Sequence, residues 1–597
     1  MAPEYLLLVS DDPVRTAGIA AQIQVRLGVP PAYMDGRLAA FRRGANAILA
    51  LDSGGCVIGT LFHRFGPPRA IERLDDPESQ RILASFGREL VDRYWGAYIA
   101  AIEHEGLVRV IRDPSGALPC YHTGFDGGVV FANDADMLVA SGLAKPSPSW
   151  PALARGLYVK DLPNEETALV GVTELLPGTA FIRGNDYRGT AEIWSPWNYV
   201  VGGGEARADT VESLRRTVQS TVSAWASCYD GVLCAVSGGL DSSIVAACLA
   251  AGPRAPELLT ISTTDVDGDE LFFAEILARG LGCDLRAEAL DLADIAIDRA
   301  AAPHLPRPVS RTQSLSYDKI VARVAAESGA DCLFTGNGGD NVFGFSYSAT
   351  SIYDRLRGEG IGGGLLRTLS DICTLTGASP WQALTAAGKV ARRRSPRYRW
   401  KPSPEFLHPD VLADNQRREP AHRWLAAPED ALPGKAVHIS LLLLIQQHLQ
   451  ANERTTGLPV INPLMSQPVV EACLRIPSWE WCAGGVNRSI ARQAFATQLP
   501  APLIQRRSKG TPESFCVEII EAHRAAIRDH LADGTLAAHG VVDAEAIACR
   551  LADDAPTLSS TQRLLELVEA EAWARTWETA AENAAGLVVP ARSVATS

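Results

Sequence analysis

The residues best suited to chemistry lie in two glycine-rich segments, each following a short apolar run. The first, Ser237-Gly238-Gly239-Leu240-Asp241-Ser242-Ser243, comes directly after GVLCAV and directly before SSIVAACLA. Strand, glycine-rich turn and helix make an anion site: glycine lets the backbone approach the ligand, the helix start presents unpaired N–H groups, and the serine hydroxyls add donors. Phosphate oxygens suit that place. A carboxylate there repels phosphate unless a cation stands between them, so Asp241 predicts Mg²⁺, a hard ion that takes oxygen ligands. The second segment, Thr335-Gly336-Asn337-Gly338-Gly339-Asp340-Asn341-Val342-Phe343-Gly344, again follows an apolar strand. Its acid, Asp340, is the expected second Mg²⁺ ligand, facing Asp241 across a pyrophosphate. Without a ligand, the first would be a serine-capped strand–helix turn and the second an ordinary loop.

Positioning two such turns requires a particular scaffold. Gly231 to Val236 reads as a strand followed by a helix from about Ser242, and Leu258 to Ser262 as a strand followed by a helix from about Glu270. Asp331 to Thr335 begins a third unit. Buried strands alternating with helices predict a parallel sheet covered on both faces, with ligands at the carboxyl ends of its strands. Residues up to about 200 instead hold short β-like runs such as Tyr5 to Val9, Val108 to Ile111 and Val129 to Phe131, separated by Gly, Asp and Pro turns. The expected division is a sheet-rich domain over 1–199, a Gly-rich linker over 200–209, an α/β domain with a helical C-terminal part over 210–583, and a frayed tail over 584–597.

Composition narrows the function classes. A chain of 597 residues exceeds one ordinary core, and 47% hydrophobic with 21% charged residues is a globular balance. With 56 basic against 69 acidic residues the formal charge is −13, which argues against general nucleic-acid binding. Twelve cysteines without a CxxC pair read as buried thiols in a reducing compartment. The start MAPEYLLLVSDDP is unlike a signal peptide, and the longest aliphatic cluster, Leu441 to Ile445, is far below the roughly 20 residues of a membrane span. A cytoplasmic protein without membrane insertion is expected.

No GxxxxGK[ST] occurs, so γ-phosphate transfer loses support. SGGLDSS instead resembles the pyrophosphate loop of ATP pyrophosphatases, which grip the β and γ phosphates while the α phosphorus is attacked. With TGNGGDNVFG, the region from about Asp209 to Thr576 resembles the synthetase domain of asparagine synthetase, also used by beta-lactam synthetase and lasso-peptide macrocyclases. The resemblance implies an adenine nucleotide alpha hydrolase-like fold using ATP and Mg²⁺. It implies nucleotide contacts at Ala235 through its backbone, at Ser262 beside the adenine, and at Thr335 and Gly336 beside the AMP moiety. Ser237, Gly238, Gly239, Leu240, Asp241, Ser242, Ser243, Asn337 and Gly338 complete the expected ATP and pyrophosphate set.

The first domain resembles the glutaminase half of asparagine synthetase, a class II, Ntn-like fold, through Arg112-Asp113-Pro114-Ser115-Gly116, Pro119, Tyr121 and Phe131-Ala132-Asn133-Asp134. The family's nucleophile is a cysteine at position two; here it is Ala2, which removes the thioester chemistry that releases ammonia from glutamine. The domain is therefore expected to be a degenerate remnant. Asn337 stands where asparagine synthetases carry Glu and beta-lactam synthetase Tyr, and it takes no proton. In GGVNRSIAR the family's catalytic Lys falls on Arg488, which keeps the charge that stabilises an adenylate or departing pyrophosphate.

These departures, with Asn462-Pro463-Leu464-Met465-Ser466-Gln467-Pro468 and Arg506-Arg507-Ser508-Lys509-Gly510, look like lasso-peptide macrocyclases. That resemblance implies adenylation of an internal Asp or Glu side chain in a precursor peptide and attack by the peptide's N-terminal amine, with a leader-recognition protein and a leader peptidase as partners. An amine of pKa about 8 is partly neutral near pH 7, so loss of the Glu is tolerable. The helical region from about Ser348 to Ser440 is the expected mould for threading the peptide. The alternatives are a small-molecule amide synthetase, either ammonia-using or beta-lactam-type, and a non-catalytic ATP-sensing regulator.

Weaker features have plainer readings. The run Arg392, Arg393, Arg394, Arg397, Arg399 and Lys401 around Tyr398 and Trp400 reads as a solvated loop before it reads as an acidic-peptide site. Asp265, Asp267, Asp269 and Glu270 suit a helix start as well as a ligand. His438 and His448 receive no role from sequence, and Trp479 and Trp481 beside Pro477 suit the lining of a peptide cavity and core packing equally well.

Overall fold

In a computed structural model, residues 4–44, 47–184, 187–200, 207–263, 270–393, 395–451, 457–507, 513–552 and 558–586 are described. The strand Glu4–Ser10 is apolar at every second position and also between, because it is buried on both faces. Tyr5, Leu7 and Val9 pack with Cys56, Ile58, Ile99, Val110 and Phe181 between two sheets, while Leu6 and Leu8 face the rest of the molecule. The first sheet orders Thr173–Glu174, Tyr121–Phe125, Gly128–Ala132, Glu4–Ser10, Leu38–Arg43 and Tyr33–Asp35. The second orders Arg188–Glu192, Thr179–Arg183, Leu107–Arg112, Tyr94–His104, Gly55–His63 and Ile48–Ala50. Strand pairing in both is antiparallel.

The C-terminal part holds the expected parallel sheet: β1 Val232–Ala235, β2 Glu257–Ser262, β3 Leu285–Ala289, β4 Cys332–Phe334 and β5 Val460–Ile461, in the order β3-β2-β1-β4-β5. The chain moves outward from β1 through β2 to β3 and then returns to place β4 on β1's other side. That reversal is the switch point at which such sheets bind ligands, and both glycine-rich motifs emerge there. The helices that matter for the site are α1 Arg207–Ala226, α2 Leu240–Ala250, α3 Leu271–Leu281, α4 Ser314–Ser328, α5 Thr350–Glu359, α6 Gly363–Thr376, α7 Pro380–Ala391, α8 Pro433–Gln450, α9 Gln467–Arg475, α10 Ser489–Ala494 and α11 Leu558–Gly586. Helix α2 is buried from Leu240 through Leu249, which is why LDSSIVAACLA shows no polar stripe.

Several boundaries differ from the sequence reading. Helix α2 starts at Leu240 rather than about Ser242, which puts Asp241 in its first turn. Helix α1 opens at Arg207, inside the segment read as linker, whose residues 201–206 lie outside the described residues. The Gly-rich run from Gly358 to Gly364 breaks the helices only at 360–362, between α5 and α6. Strand β3 was not anticipated because its edge sequence LRAEA is half exposed, and β5 because two residues paired across more than a hundred in sequence leave no local pattern. Helix α11 runs to Gly586; the rest of the expected tail, 587–597, lies outside the described residues, as do Ala2 and Arg394.

The two parts share one core. Phe62 and Trp95 from the antiparallel sheets pack on Trp225 of α1, with ring centres 5.0 and 6.2 Å away. Buried Glu174 pairs with Arg112 at 2.8 Å and with Arg307 at 2.6 Å, and accepts from Gln450 at 3.3 Å. Among the described residues, no helix is long and apolar enough to cross a membrane.

Candidate active site

The two motifs touch. A Cβ on Gly336 would sit 2.4 Å from the backbone nitrogen of Ser242, and one on Gly339 would sit 2.4 Å from Asp241 Cβ. Only hydrogen at these positions lets the turn after β4 seat on the first turn of α2. Helix α2 starts at Gly239 with no side-chain cap, so its first N–H groups face outward, with the macrodipole's positive end. Ser242 Oγ instead accepts from Ser237 N at 3.2 Å, closing the loop over the helix start. Thr335 Oγ1 donates to Asn462 Oδ1 at 2.6 Å and accepts from Asn337 N at 3.0 Å, which fixes the second turn to the segment after β5.

This seating brings the predicted acids together. Arg488 Nη1 donates to Asp241 Oδ2 at 2.8 Å and to Asp340 Oδ1 at 2.5 Å. Both carboxylates therefore converge on one cationic atom, and all three side chains are largely shielded from solvent. Arg488 precedes α10 with φ +52, a left-handed backbone that a non-glycine residue adopts only when its surroundings hold it there, and its guanidinium lies 5.1 Å from the Phe345 ring centre. The arrangement fits Mg²⁺: two oxygen donors meet at a point already occupied by positive charge. Among the described residues no group of three or more His, Cys, Asp or Glu could hold an ion, and two carboxylates leave further positions for phosphate oxygens and water.

A cavity of about 540 Å³ opens beside these groups. Ala235, Ser237, Gly239, Leu240, Asp241, Ser242, Thr335, Gly336, Asn337 and Arg488 line it. Gly238, Ser243, Ser262 and Gly338 do not: Gly238 turns the loop with φ +60 against Phe273, Ser243 donates to Gly239 O within the helix, Ser262 donates to Glu288 O, and Gly338 packs on Met465. Asp340 reaches the cavity's edge through Arg488.

Two further arginines belong to this wall. Arg506 donates to Ser237 O at 3.0 Å, faces Glu270 at 3.4 Å and stacks 4.1 Å over Phe273. Arg492 bonds Asn487 and Arg506 O, and burial, then the neighbouring Arg488, push it down to about 10. Its place four residues beyond Arg488, in the same basic segment, was a signal available in the sequence. Glu270 thus holds Arg506, while Asp265, Asp267, Asp269, Ser508, Lys509 and Gly510 lie outside the described residues. Buried His438 meets Val342 O at 2.8 Å and is pushed down to about 3 by burial; Trp479 and Trp481 are buried core, and Trp400 is anchored to Lys160 O. In the first part, Arg112 and Asp113 close their own turn by bonding Gly116.

The family model described as asparagine synthase matches residues 213–575. A search of curated proteins returned no match. Among solved structures, the chain is similar to the glutamine phosphoribosylpyrophosphate (PRPP) amidotransferase from B. subtilis complexed with ADP and GMP, at 11% identity and a TM-score of 0.19, over 48% of this chain and 65% of that one. A structure titled the allosteric regulatory enzyme of purine biosynthesis matches at the same identity, TM-score and coverage of this chain, over 80% of its own.

Proposed function

This chain belongs to the asparagine synthase family, and from that premise we propose that it is an ATP-dependent carbon–nitrogen ligase. The observation that carries the reading is the convergence of Asp241 and Asp340 on one cationic point at the uncapped start of α2. The helix start and the Ser237–Ser243 loop bind the β and γ phosphates. A substrate carboxylate oxygen attacks the α phosphorus, forming an acyl-adenylate as pyrophosphate leaves, and an amine then displaces AMP. Asp241 and Asp340 would hold Mg²⁺, which supplies charge neutralisation for the phosphates when bound. Arg488, at the cavity wall beside both carboxylates, would offer its guanidinium to the negative charge that develops on the leaving group.

Within this class, the substrate is a ribosomal precursor peptide whose internal Asp or Glu side chain is adenylated and joined to the peptide's N-terminal amine as an isopeptide. Ala2 in place of a cysteine, Asn337 in place of an acid and Arg488 in place of Lys support that assignment. Helix α8, which begins inside the segment read as the peptide mould and runs past its end at Ser440, contributes Ile445, His448 and Leu449 to the cavity. A leader-recognition protein and a leader peptidase are the partners this reading calls for. Family membership supports equally a small-molecule amide synthetase, and one experiment separates the two. Purified protein with ATP and Mg²⁺ is given a precursor peptide plus its peptidase, or aspartate plus ammonia, and AMP and pyrophosphate are measured with product mass. Peptide-dependent AMP release with a product one water lighter establishes the macrocyclase; aspartate-dependent release replaces it with the small-molecule synthetase.

A further inference from the structure

The amide-forming step makes one demand that the groups described so far do not meet. The attacking nitrogen must give up protons, and neither Arg488 nor Asn337 accepts one. Among the described residues, each carboxylate lining the cavity faces an arginine: Asp241 meets Arg488, Glu270 meets Arg506 and Asp318 meets Arg311 at 2.9 Å. Such pairing holds a carboxylate in its charged, weakly basic form.

Among the described residues, the base that remains in the cavity is His448, in the last turn of α8. Its ring Nε2 lies 3.1 Å from Asp161 Oδ1, and its side chain is 32% exposed, so water and substrate reach it. Asp161 comes from the N-terminal part of the chain and has φ +60, a left-handed backbone held in place by its surroundings. Lys160, 3.9 Å from the other oxygen of Asp161, is also paired with Glu566. An Nε2–H donated to the carboxylate fixes the tautomer in which Nδ1 accepts.

We propose that His448, oriented by Asp161, is the general base of the amide-forming step; this rests on the ligase reading above. The amine nitrogen forms its bond to the adenylate carbonyl carbon, and a proton passes from nitrogen to Nδ1. The carbon–oxygen bond to AMP breaks, and AMP leaves with the electron pair. The imidazolium, stabilised by Asp161, later releases its proton to water. Asp161 is a positioning residue, and its contribution gives the N-terminal part a place in catalysis without a nucleophile of its own.

The test compares wild type, His448→Gln, Asp161→Asn and Asp161→Glu with whichever pair, peptide or aspartate plus ammonia, supports AMP release. Three rates are read: pyrophosphate–ATP exchange, amide formation, and hydroxamate formation with hydroxylamine, a nucleophile already neutral at pH 7. In His448→Gln, exchange and hydroxamate stay near wild type while amide formation falls about 10²-fold or more, and the acid limb of its pH profile disappears. In Asp161→Asn amide formation also falls while exchange and hydroxamate stay near wild type, and Asp161→Glu restores part of it. Unchanged amide formation in His448→Gln overturns the assignment. Joint loss of all three rates also overturns it, by showing a structural role. A wild-type protein that releases AMP with neither pair overturns the ligase reading itself.

Discussion

Arg488 Nη1 sits between Asp241 and Asp340, so these three residues act as one unit whose charges depend on each other. Replacing either acid by its amide keeps the shape but removes a charge that a divalent cation needs. Asp241→Asn and Asp340→Asn are each expected to reduce pyrophosphate–ATP exchange by about 10²–10³-fold, with little change in melting temperature. Arg488→Lys keeps the positive charge, but the shorter lysine lacks the planar guanidinium whose Nη1 reaches both carboxylates and which lies against the Phe345 ring. Exchange should fall by about tenfold or more, and a rate equal to wild type would remove Arg488 from the chemistry.

The turn after β4 can lie on α2 only because Gly336 and Gly339 lack side chains. Gly336→Ala drives a methyl group into the backbone of Ser242, where nothing can yield without separating the motifs. A loss of about 1–3 kcal/mol in urea unfolding is expected, together with loss of nucleotide-dependent exchange. Helix α11 is held differently. Its Glu569 accepts from Ala301 N at 2.9 Å and Thr312 Oγ1 at 3.2 Å, yet burial outweighs these bonds and pushes its carboxyl up to about 7 from an ordinary 4.5. An acid raised in the folded state contributes stability that is present below its unfolded value and lost as pH rises through its folded value. Glu569→Gln, which does not ionise, should therefore gain stability relative to wild type between about pH 4.5 and 7. Melting temperatures of both proteins at pH 5 and pH 8 check the direction.

At the scale of the whole molecule, Glu174 joins the two parts through Arg112 and Arg307. Burial would raise its carboxyl, but those two cations hold it below its ordinary value. Glu174→Ala leaves buried guanidinium charge unpaired, and a loss of about 3–5 kcal/mol is expected, with both parts unfolding in one transition because they share a core. The sequence by itself determined the two glycine-rich turns, the parallel sheet behind them and the nearness of Asp241 to Asp340. Each depends on short-range signals: glycine spacing, an apolar run before a turn, and an acid in a place that only a cation makes tolerable. The tertiary structure decided the rest. Arg492 and Arg506 join the wall because the segments after α9 fold back over the Ser237–Ser243 loop, and β5 completes the sheet from far along the chain. His448 and Asp161 are 287 residues apart and meet because the segment holding Asp161 and Leu162 packs against the last turns of α8. Contacts of that kind arise from burial of shared apolar surface, which leaves no trace in local spacing.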